Sequence, residues 1–173
     1  MIRIYIDTDV LSPKVRKRGR TWYRMERELG SGRIELIENA FAFEEHNLTG
    51  ATLEGVLDAL SQIETSGNQI ELYLPSMIAV SQIARGYEFT IAKRGYMTAK
   101  GKTASNGILW KGIVKHLIRT CRQVKCKYYT LEESKEMRSK IQFLKNETFD
   151  KARKSIRQQD FSEKKSKEHQ QSP

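Results

Sequence analysis

The chain has 173 residues, 31 lysines and arginines against 21 acids, and a formal net charge of +10. That length suits one hydrophobic core, and the charge points to a polyanionic partner, nucleic acid first. No apolar run approaches the roughly 20 residues of a spanning helix. The start of the chain also carries no signal-peptide core, so a cytoplasmic protein without a membrane role is expected.

Ile2, Ile4 and Ile6 alternate with Arg3, Tyr5 and Asp7, the pattern of a half-buried strand with Asp7 at its end. A basic loop, Lys14 to Arg20, leads to a second strand from Trp22 to Leu29. The turn Gly30-Ser31-Gly32 leads to a third strand, Arg33 to about Phe43. Leu53, Val56, Leu57, Leu60 and Ile63 follow helical spacing, with Thr49 as the expected cap. Ile70, Leu72 and Leu74 form a fourth strand ended by Pro75-Ser76, and a short helix runs from Met77 to Ala84. After a basic turn come a helix from Leu109 to about Thr120 and a fifth strand from Val124 to Tyr129. A charged helical stretch follows from Glu132 to roughly Arg157. Cys121 and Cys126 have no second pair, which argues against zinc and for reduced thiols, with Cys126 facing inward on its strand. Residues 1–157 are expected to form one domain and 158–173 a polar, disordered tail.

The basic turn carries the most information. Lys93, Arg94, Lys100 and Lys102 place four cations within ten residues with no acid between them, flanked by Tyr96 and Trp110. Cations release counterions on meeting phosphates, and rings lie against sugar or base. A solvated surface loop is the plain alternative. The stretch Lys93-Arg94-Gly95-Tyr96, Thr98-Ala99, then Asn106 with Leu109-Trp110 closely resembles the basic protrusion of type 1 ribonuclease H.

That resemblance implies an α/β, ribonuclease H-like fold: a five-stranded mixed sheet flanked by helices. It also implies a magnesium- or manganese-dependent endonuclease that hydrolyses RNA in RNA/DNA hybrids. Asp7, Glu54 and Asp150 match the family's catalytic metal ligands, and two such ions would activate water and stabilise the leaving oxygen. Read singly, Asp7 is more simply a strand-end turn residue, and Asp150 is as readily a solvated helical acid. Glu54 and Asp58 form a like-charge pair that a metal or a neighbouring cation would relieve. Lys93, Arg94, Tyr96, Lys100, Lys102 and Asn106 are the expected nucleic-acid-binding residues, in a monomer.

Three departures weaken the catalytic reading. Pro75 stands where the family carries its fourth acid, leaving Ser76, Glu132, Glu133 or Glu136 to compensate. The family's loop histidine is absent, because the histidines are His46, His116 and His169. The glycine-rich turn after the first strand is replaced by the basic Ser12 to Arg20 segment. The alternative is therefore a catalytically inactive ribonuclease H-like module that binds duplex or hybrid. A transposase or resolvase relative is disfavoured by the protrusion.

Overall fold

The computed structural model describes residues 1–128. Five strands and four helices follow one another in these residues: β1 Ile2–Thr8, β2 Lys17–Glu28, β3 Ile34–His46, α1 Leu48–Ser61, β4 Asn68–Leu74, α2 Met77–Ala84, α3 Tyr87–Lys93, α4 Gly107–Thr120 and β5 Cys121–Tyr128. The sheet order is β3-β2-β1-β4-β5. β1, β2 and β3 pair antiparallel, whereas β4 lies parallel to both β1 and β5. This is the mixed five-stranded sheet with flanking helices expected from the sequence.

Alternation in β1 sends Ile2, Ile4 and Ile6 to one face, where they join Leu53, Val56 and Leu60 of α1 and Ile70, Leu72 and Leu74 of β4 in the core. Each such aliphatic side chain contributes about 1.5–3 kcal/mol by leaving water. α1 lies close on the sheet because Gly55 has no side chain. A Cβ there would stand 2.5 Å from Thr21 Cγ2 and 2.9 Å from Ile6 Cγ2. Cys126 faces this core, as its alternation implies, and burial pushes its thiol up to about 12.

Several boundaries and one helix differ from the sequence reading. β2 begins at Lys17, inside the expected basic loop, because its ladder with β3 continues past an irregularity between Lys17 and Gly19. The α1 cap is Asn47, whose side chain accepts the Gly50 N–H at 2.9 Å. Thr49 is buried in the first turn of the helix and its hydroxyl bonds to Ser76 Oγ at 3.1 Å instead. α3 was not anticipated, since seven residues show too little periodicity to read. β5 starts at Cys121, directly after α4. The expected final helix and tail lie outside the described residues.

Candidate functional site

α3 ends in Lys93, and the chain then passes through two left-handed residues, Gly95 at φ 60° and Tyr96 at φ 63°. A tyrosine in that region costs roughly 1–3 kcal/mol unless its surroundings hold it. Here the Tyr96 N–H donates to Ile91 O at 2.8 Å and its carbonyl accepts from Ala104 N at 3.0 Å. Beyond it, Thr98 N–H donates to Lys102 O at 2.7 Å and Met97 bridges Thr103, which closes a tight protruding loop. Lys93, Arg94, Lys100 and Lys102 are all exposed on it, and none has an acidic partner among the described residues.

Trp110 is fully buried, edge-on to Tyr87 with ring centroids 5.7 Å apart, so its ring cannot meet a nucleic acid. Tyr96 is half-buried and packs against the core beneath the loop. Both rings brace the protrusion.

Asn106 caps α4 in a left-handed conformation at φ 58° and makes no side-chain capping bond. It lines an open groove of about 450 Å³, together with Arg16, His46, Thr103, Ser105 and Ile108. First-turn amides of α4 have no intrahelical acceptor and add partial positive charge there. Arg16 reaches this groove because the β1–β2 loop is tied to the start of α1. Leu48 N–H donates to Ser12 O at 2.8 Å, and Asn47 Nδ2 donates to Pro13 O at 3.0 Å. Sequence reasoning missed Arg16 and His46 as groove residues. Two other cations of the expected basic loop are engaged: Arg18 pairs with Glu44 and Arg20 with Asp9, each at 2.9 Å.

Asp7 and Glu54 sit on the expected elements, β1 and α1. Asp7 is half-buried near the end of β1, and its Oδ1 accepts the Thr8 N–H at 2.8 Å. It projects to the face opposite Ile6, the face that carries Tyr5 stacked on Tyr73 at 4.6 Å. The β1–β4 register pairs Tyr5 with Tyr73, so two residues further on Pro75 is in line with Asp7 and offers no ligand atom. Ser76 is no substitute, because its buried Oγ caps α2 by accepting from Ala79 N at 3.2 Å. Glu54 lies 3.3 Å from His46 Nε2, and Asp58 accepts from Asn39 Nδ2 at 3.0 Å. Asp150, Glu132, Glu133 and Glu136 lie outside the described residues. Among the described residues, no three histidines, cysteines or acids gather as a metal cluster. A pair of magnesium ions needs converging oxygen donors, and the described residues alone do not supply such a set.

No known protein family's profile matches the chain, and no curated protein does. Solved structures do. LC9-RNase H1, a type 1 RNase H with the type 2 active-site motif, superimposes with a TM-score of 0.58 at 18% identity, covering 76% of this chain and 63% of that one. The chain thus spans just under two thirds of that relative's length. LC11-RNase H1, solved in complex with an RNA/DNA hybrid, gives 0.53 at 14% identity over 78% of this chain and 89% of that one. A foamy viral protease-reverse transcriptase in complex with dsDNA gives 0.56 at 16%, over 76% and 82%. The chain has a ribonuclease H-like fold.

Proposed function

We propose that this protein binds duplex nucleic acid, RNA/DNA hybrid included, along the protrusion and the groove at the start of α4. One observation carries the reading: four exposed cations on one rigid loop have no acidic partner among the described residues. Unpaired cations on a held backbone gain from counterion release and lose little order on binding. Arg16 and the first turn of α4 extend the positive surface into a groove. Fold neighbours bound to a hybrid and to dsDNA support the same ligand class.

A second reading is favoured by the placement of Asp7 on β1 and Glu54 on α1, elements on which the resemblance puts metal ligands. In that reading, Asp7, Glu54 and Asp150 hold magnesium or manganese and the protein hydrolyses the RNA strand of a hybrid. Pro75 and the His46 contact weigh against it. A labelled hybrid separates the two. Binding without cleavage in magnesium and in manganese is the expected result. Cleavage abolished by both Asp7→Asn and Glu54→Gln would establish hydrolysis, and absence of binding would refute both.

A further inference from the structure

α4 carries no acid anywhere along its length and turns its apolar residues inward. Leu109, Trp110, Ile113, Val114 and Leu117 are buried, whereas Ile108, Lys111, Lys115, Ile118 and Arg119 are exposed. At about 100° per residue, the exposed five share an arc of about 100° on the side away from the core. They make one outward face.

That face is cationic without compensation. Lys111 and Lys115 have no acidic partner among the described residues. Arg119 is held in place, because its Nη2 donates to Ile63 O at 3.1 Å and meets His116 Nδ1 at 3.3 Å. Burial first, then the charges of Arg119 and Lys115, hold the His116 ring below the usual histidine range. The ring is therefore neutral at neutral pH and accepts from the guanidinium.

The face begins at the groove, which Ile108 lines. A rise of about 1.5 Å per residue puts Lys111 and Lys115 about 6 Å apart and Arg119 about 6 Å further on. Cations repeating at i, i+4 and i+8 suit a polyanion whose charges also repeat regularly. Ile108 and Ile118 stand at opposite ends of the row, about 15 Å apart along the axis, so they form no apolar strip for a bilayer to bury. We propose that the outer face of α4 is a phosphate-binding track, on which Lys111, Lys115 and Arg119 hold the backbone of a duplex where it leaves the groove. The track presupposes the binding reading above and lengthens its footprint by about 16 Å, the rise from Ile108 to Arg119.

The salt dependence of affinity for one labelled duplex DNA, measured in the full chain and in three double variants, tests the track. Lys111→Gln with Lys115→Gln removes two exposed charges and should leave the fold intact. Two lost contacts should flatten the slope of log affinity against log salt by about 1.8. Between about 50 and about 200 mM salt, the parent should then lose about 12-fold more affinity than this variant. Lys111→Arg with Lys115→Arg should keep the parent slope, and a flattened slope there would overturn the track. Arg33→Gln with Arg85→Gln removes the same charge from the β2–β3 turn and the end of α2, and should change the slope far less. An unchanged slope in the α4 glutamine variant, or an equal change in the Arg33 and Arg85 variant, would overturn the track and leave binding at the protrusion standing. Phosphatidylserine vesicles that bind the parent through Lys111 and Lys115, with the duplex slope unchanged, would assign the face to a membrane and overturn the track equally. No saturable binding of duplex by the parent at low salt would refute the binding reading, and the track with it.

Discussion

Replacing Lys93, Arg94, Lys100 and Lys102 together with glutamine removes four charges from the protrusion without touching a contact that holds it. The loop is closed by backbone bonds such as Thr98 N to Lys102 O, and the four side chains are exposed. Stability should therefore change by no more than about 0.5 kcal/mol per site. Each phosphate contact adds about −0.9 to the slope of log affinity against log salt on duplex DNA, so four contacts add about −3.6. Between about 50 and about 200 mM salt, 0.6 of a decade, the parent should lose roughly 2.2 decades of affinity more than the variant. Lys93 and Arg94 alone should account for about half of that slope. Fluorescence anisotropy with one labelled duplex across a salt series reads the slope directly, and unrelated duplex sequences should behave alike. Arg18→Gln supplies a contrast, because it also frees Glu44 from its ion pair. An unchanged slope in a correctly folded quadruple variant would refute the role of the protrusion and leave Arg16 and its neighbours as the surface to test.

Trp110→Ala should lower stability by ~3–5 kcal/mol, since the ring is fully buried. Chemical denaturation checks this, and a loss below ~1 kcal/mol would contradict the bracing role. Glu88 of α3 is buried, and burial holds its carboxyl above the usual glutamate range. Its contribution to stability is thus complete below the unfolded value of about 4.3 and is lost as pH rises through the folded value. Glu88→Gln, which mimics the protonated form, should be more stable than the parent at neutral pH, with the gap closing in acid. Melts across pH that show the gap widening in acid would contradict the sign. Pro75→Asp places a carboxylate in line with Asp7 and should create divalent affinity measurable by calorimetry. Unchanged titrations would mean that the acids on β1, α1 and β4 do not converge.

Much of the fold was legible because its elements announce themselves locally. The alternation of Ile2, Ile4 and Ile6 gave β1, and the stripe from Leu53 to Ile63 gave α1. The protrusion was legible as chemistry, from cations without acids. What escaped depended on tertiary contacts. Asn47 and Thr49 are both good caps, and only the buried bond from Thr49 to Ser76 decides between them. The His46–Glu54 contact crosses a strand–helix corner, where neither the period of 2 nor that of 3.6 relates the two positions.

The central claim, binding along the protrusion and the groove, is tested most directly by following backbone amide signals while the protein is titrated with an RNA/DNA hybrid. The account predicts saturable shifts confined to Arg16, His46, residues 93–103 and α4, unchanged by EDTA. Shifts concentrated elsewhere on the sheet, or no shifts at low salt, would contradict it.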